Sequence, residues 1–178
     1  HIDATHKNKG SLEYINEVKL AYPYQTISLE FYKNSVSIFI AEVLSHSIKE
    51  EQPNNELFVF LKTALVWFDE HSFSTDFHLW ILINLTKYLG FYPDDSDKDS
   101  IYFNPHEGSF TMHYTPNCFN EDETVLFRKL FDLSLNDKKV ALTNTQRRLL
   151  LKLLLDYYQT HIVGFKQIKS LEILSELF

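Results

Sequence analysis

From Ser28 to Gly90 the apolar residues return every three or four positions, and this spacing constrains the fold more than any other feature. Side chains repeating every 3.6 residues line one face of an α-helix, whereas a half-buried strand alternates in steps of two. A first helix is expected from Ser28 to about Glu50, with Phe31, Ser35, Ile38, Phe39, Val43 and Leu44 as its inner stripe. A second begins at Pro53 with Asn54 or Asn55 as its cap, and buries Leu57, Phe58, Phe60, Leu61, Leu65 and Phe68. After a break at His71–Ser74, a third starts with Thr75 or Asp76 as N-cap. Its stripe is Phe77, Trp80, Ile81, Asn84, Leu85, Tyr88 and Leu89; Gly90 ends it and Pro93 bars continuation. Only 4 Gly and 5 Pro punctuate 178 residues, too few for an all-β barrel.

Residues 93–117 break this pattern. Two short alternating pieces, Ile101–Phe103 and Ser109–Met112, flank Asn-Pro-His-Glu-Gly and predict a small hairpin within 100–113. Helices resume over Glu121–Leu133 and Thr143–His161, with a short terminal one at Lys169–Phe178. Thr143 followed by Gln146 is a capping-box pattern. His1–Gly10 is polar and reads as a loose lead-in; Ser11–Leu20 reads as a short strand or the tail of a preceding element. The expected fold is therefore mainly α, a single helical domain of five to six helices with a small β-hairpin insert.

Charge is unevenly spread. The net charge is −7, yet residues 126–170 hold 9 Lys/Arg against 3 Asp/Glu, while residues 1–100 hold 8 against 15. A basic face on an acidic body is expected. Arg147, Arg148 and Lys152 project from one side of the Thr143–His161 helix, opposite Leu150, Leu153, Leu154 and Tyr157, and Lys166 and Lys169 follow. These five are the candidate DNA-binding residues; Arg128, Lys129, Lys138 and Lys139 complete the basic segment. The bland reading of the same residues is a solvated helix face.

Motifs for catalysis or metal are missing. There is no Gly-x-Ser-x-Gly, phosphate loop, dinucleotide fingerprint or His-Glu-x-x-His, so no catalytic residue and no enzyme is expected. The acidic run Asp94–Asp99 spaces carboxylates like a calcium loop, but the glycine and closing glutamate positions hold Ser100 and His106. His106, His113 and the lone Cys118 match no zinc spacing, so no metal or other cofactor is expected. One cysteine also excludes an internal disulfide and suits a reducing compartment. With no signal peptide and no membrane-length apolar run, the reading is a cytosolic protein without membrane partners.

Six pieces, in order along the chain, resemble the RecO family of DNA repair proteins. They are Leu20–Tyr24, Ser37–Leu44, Phe77-His-Leu followed by Tyr88–Pro93, Tyr102–Phe110, Gln146–Leu150 with Tyr157–His161, and the ending Lys169–Phe178. The hairpin piece is similar to the Bacteroidetes-type branch. The match spans about residues 12–178.

The resemblance implies a domain layout and a role. Residues 1–22 would be a linker or the remnant of an N-terminal OB-fold, otherwise absent, and residues 23–178 the helical C-terminal domain. The role implied is a recombination mediator: it works with RecR and RecF, displaces single-stranded DNA-binding protein, loads RecA and anneals complementary strands. Single- and double-stranded DNA would be met mainly through the absent barrel, in the cytoplasm at the nucleoid. The family's helical domain takes the acidic C-terminal tail of the single-stranded DNA-binding protein. Here the Phe77–Leu89 helix is the candidate wall, with Phe77, Trp80 and Tyr88 as surface and Lys87 as cation, unless Trp80 packs inward as core. The alternative role is structural: the domain supports the barrel and docks RecR without touching DNA. The four-cysteine zinc module of many relatives is not carried over, since only Cys118 is present.

Overall fold

The computed structural model describes residues 2–4, 15–49, 53–136 and 140–175. The remainder of the lead-in, Glu50, Lys138, Lys139 and the last three positions of the expected terminal helix lie outside the described residues. Within them the domain is mainly helical, with α1 (Phe31–Ser47), α2 (Asn55–Glu70), α3 (Phe77–Leu89), α4 (Glu121–Arg128), α5 (Asn144–His161) and α6 (Leu171–Ser175). The hairpin falls where the alternation predicts, with β3 (Tyr102–Asn104) antiparallel to β4 (Ser109–Thr111) and Phe103 opposite Phe110. The lead-in departs from expectation at Ile2–Ala4, which forms β1 and pairs antiparallel with β2 (Ile15–Val18).

The helix starts follow from local chemistry. Asn54 accepts a hydrogen bond from the Leu57 N–H, and Asn120–Glu123 and Thr143–Gln146 each form a reciprocal capping box. Gly90 ends α3 at φ +83°, a left-handed conformation that suits glycine. The expected Glu121–Leu133 helix is shorter. It gives way after Arg128 to a tighter 3₁₀ turn, Lys129–Asp132, which buries Leu130.

α3 is the hub, touching α1, α2, α5 and the 3₁₀ turn. Elements on several sides bury Phe77, His78, Leu79, Ile81, Leu82, Ile83, Leu85 and Thr86, not the single stripe expected. The face of α1 differs in part. Ser35, Phe39 and Val43 are buried as expected, but Phe31 and Ile38 point to water, and Lys33, Val36, Ile40 and Ser47 are buried besides. Phe58 of α2 is likewise exposed. The buried row 36–39–40–43–47 is itself a clean helical face; the expected stripe shares Phe39 and Val43 with it but reaches round to Phe31 and Ile38, which lie off that row.

Lys33 is buried because distant backbone satisfies it. Its Nζ donates to Thr26 Oγ1 (2.7 Å), the Asp69 carbonyl (3.2 Å) and the His71 carbonyl (2.6 Å). Asp69, equally buried, accepts from the N–H groups of Gln25, Thr26 and Ile27. This clasp ties the segment before α1 to the end of α2. At the other end of the domain, Phe110, Phe119, Phe127 and Tyr157 pack around Phe103 and lock the hairpin onto α4 and α5.

Candidate functional site

The basic residues of α5 border a groove of about 250 Å³ between that helix and the segment leading to α6. Leu151 and Leu155 come from α5, and Phe165, Ile168 and Leu171 from the following segment. Arg147, Arg148 and Lys152 stand around this apolar lining. On a helix, positions three and four apart share a face, so 147/148, 151/152 and 155 necessarily line one side.

The far wall is held by an acid on α1. Glu42 accepts from the Lys169 N–H, the Ser170 N–H and the Ser170 hydroxyl at 2.6–2.9 Å. Partial burial would raise its pKa, but these donors hold it below the usual range. Just beyond these contacts α6 begins at Leu171, two residues later than expected.

The structure brings together three of the five candidate DNA-binding residues. Arg147 is nearly enclosed: its Nε donates to Asp76 at 2.5 Å and its Nη1 to Asn144 at 2.7 Å. Arg148 and Lys152 are exposed. Lys166 and Lys169 are exposed on the connecting segment but do not line the groove. His78, on α3 at the groove's base, is fully buried; burial first and the Arg147 charge second push its imidazole down to about 3, so it stays neutral. Asp156 also lines the groove, and its carboxyl is pushed up by burial against the opposing pull of Lys152.

The expected α3 wall is corrected in two of its four residues. Phe77 is wholly buried, its ring stacked 4.0 Å from that of Phe68, so it offers no surface to a peptide. Lys87 donates to Asn84 Oδ1 (2.8 Å) and lies 4.6 Å over the Tyr92 ring, outside any groove with Trp80. Trp80 and Tyr88 do line a groove, of about 680 Å³, with Val59, Phe60 and Trp67 of α2. Among the described residues its one charged lining residue is Glu56.

The sequence reading missed the lining of the α5 groove. Leu151 and Leu155 were detectable, since they sit at helical spacing beside Arg148 and Lys152. Phe165 and Ile168 carried no periodic signal. Among the described residues no cluster of His, Cys, Asp or Glu could hold a metal ion, and no helix is long and apolar enough to cross a membrane.

The described domain is thus a helical one built around α3, with a cationic, apolar-lined groove beside α5. The family profile described as "Recombination protein O C terminal" matches residues 29–172. The DNA repair protein RecO of Flavobacterium johnsoniae is 47% identical over 177 residues, covering 99% of this chain and 75% of that protein. The DNA repair protein RecO of Flavobacterium psychrophilum is 47% identical over 178 residues, with the same coverage. That of Christiangramia forsetii is 34% identical over 180 residues. No solved structure matches the chain. The chain belongs to the RecO family, whose members named here are DNA repair proteins.

Proposed function

We propose that this domain is the partner-binding module of a recombination mediator, and that the α5 groove takes the acidic C-terminal tail of single-stranded DNA-binding protein. The observation that carries the reading is the arrangement of Arg147, Arg148 and Lys152 around an apolar lining. A tail ending in an apolar residue and a carboxylate needs an apolar slot with cations at its rim, and opposite charges also speed encounter. Engaging that tail would bring the mediator to coated single strands, where RecA is loaded and complementary strands are annealed. Lys166 and Lys169, exposed beside the groove, would extend the cationic surface to DNA phosphates. None of these steps needs a catalytic group, and the place of action would be the cytoplasm, at the nucleoid.

The test is a calorimetric titration with single-stranded DNA-binding protein, intact and lacking its tail. Binding should require the tail and fall at least about tenfold when Arg148 and Lys152 are both changed to Glu, since two facing cations become like charges. Lys87→Glu should leave it unchanged, because Lys87 stands outside the groove. Tail-independent binding, or a loss confined to Lys87→Glu, would overturn the assignment.

A second reading has its own observation. Ile15, Val18, Leu20, Leu29 and Phe31 are all more than half exposed along the segment that includes β2. Such a surface suits packing against an OB-fold or RecR, with residues 1–22 as the link. In that reading the domain supports its neighbours and DNA is met elsewhere, with RecF a further partner. Substituting Leu29 and Phe31 with Ser would then abolish RecR docking while tail binding persists.

A further inference from the structure

Arg147 belongs to two concave surfaces. It lines the α5 groove with Arg148 and Lys152, and it also lines a cleft on its other side formed by His71, Ser74, Asp76, Trp80 and Leu142. A guanidinium between two openings can serve either, so what fixes it decides how the groove meets a ligand. Two contacts fix it: Asp76 at the N-terminus of α3 takes Nε at 2.5 Å, and Asn144 takes Nη1 at 2.7 Å. Both side chains of the ion pair are largely shielded, with 12% and 25% of their surfaces exposed. Asp76 is spare for this purpose, since its side chain makes no capping bond to α3.

We propose that Asp76 is a positioning residue for the α5 groove, holding the Arg147 fork so that its remaining N–H donors, up to three, meet a carboxylate of the bound acidic peptide. This rests on the reading that the groove takes such a peptide. Asp76 acts in two opposed ways. Its negative charge repels an acidic ligand, and its hydrogen bond orients the cation that binds it. Orientation matters for arginine in particular, because its planar fork pairs with carboxylates in a fixed geometry that a mobile side chain must first find.

A charge-matched pair of variants separates the two effects. Asp76→Asn and Asp76→Ala both remove the charge, but only Asn keeps an acceptor for Arg147 Nε. The probe is a fluorescently labelled Asp-rich peptide ending in Leu with a free carboxylate, titrated by anisotropy. Asp76→Asn should bind at least about fivefold tighter than Asp76→Ala, and in an Arg147→Ala background the two should bind alike. Equal binding by the two variants with Arg147 present, or a difference that survives its removal, overturns the inference. Melting curves report whether each variant folds. Should Asp76→Ala fail to fold, Arg147→Lys supplies the same test: it keeps the charge, loses the fork, and should weaken binding about fivefold, parent-like binding being the refutation. If the parent protein itself does not bind the peptide, the groove reading falls and this inference with it. If Arg148→Ala and Lys152→Ala weaken binding but the Asp76 pair does not differ, only this inference falls.

Discussion

Replacing Asp69 with Ala should destabilise the domain by about 3–5 kcal/mol, the loss of roughly two charge-assisted hydrogen bonds that water does not replace. The structure supplies the parts of that figure. The carboxylate accepts from Gln25 N (2.8 Å), Thr26 N (2.8 Å) and Ile27 N (2.9 Å), whereas Lys33 Nζ donates to the Asp69 backbone carbonyl, which the Ala variant keeps. A hydrogen bond to a charged group contributes about 1.5–3 kcal/mol, and an orphaned buried donor costs about 1–3 kcal/mol. Gln25 is exposed and regains water, whereas the Ile27 N–H is buried and does not, so the three losses do not add in full. For a chain of this size each kcal/mol moves the melting temperature by about 2–4 °C, so a fall of about 6–20 °C is expected in thermal melts followed by circular dichroism. The pH dependence gives a second readout. Burial would raise the Asp69 pKa, but the backbone donors from Gln25, Ile27 and Thr26 hold it lowered. Stability from a depressed carboxylate is fully present above its unfolded value of about 4 and is lost as pH falls through the lower folded value. The parent should therefore lose stability below about pH 4 by an increment that Asp69→Asn lacks. A loss under about 1 kcal/mol in the Ala variant, or the same acid limb in the Asn variant, would refute the clasp.

Two further outcomes follow from the α5 groove and the hairpin. If Arg148 and Lys152 each meet a phosphate, changing both to Ala should flatten the slope of log binding constant against log salt for single-stranded DNA by about 1.4 units, at about 0.7 per contact. An unchanged slope in filter binding across a salt series would move the DNA contacts off this helix. Gly108→Ala should cost about 2–3 kcal/mol in urea denaturation, since φ is +66° and a Cβ would stand 2.8 Å from the Tyr157 hydroxyl, which donates to the Phe91 carbonyl. A variant within about 0.5 kcal/mol of the parent would show that the hairpin does not need glycine there.

The difference between what the chain declared and what it withheld is one of range. Caps, stops and the hairpin turn are decided by neighbours three or four residues away, so Asn54, Thr143, Gly90 and the Tyr102–Thr111 ladder could be read from local chemistry. Which side of a helix is buried is decided by partners far along the chain. Lys33 is interior only because Thr26, Asp69 and His71 converge on it, and the two carbonyl acceptors lie 36 and 38 residues away. Nothing in the spacing of α1 distinguishes it from a solvated lysine, so the exposed Phe31 was the natural candidate for the core. The groove fails to be legible for the same reason. Its cations were visible as a charged helix face, but a charged face becomes a receptor only when a second surface closes against it. Here that surface is the non-periodic segment carrying Phe165 and Ile168, set in place by Glu42 from α1, more than 120 residues earlier. Glu42→Gln therefore bears on function as well as stability: loosening that clamp opens the apolar side of the groove while leaving its own cations, Arg147, Arg148 and Lys152 on α5, in place. Weaker tail binding with an unchanged salt slope would be its signature, and a changed slope with unchanged affinity would argue that the wall is not part of the site.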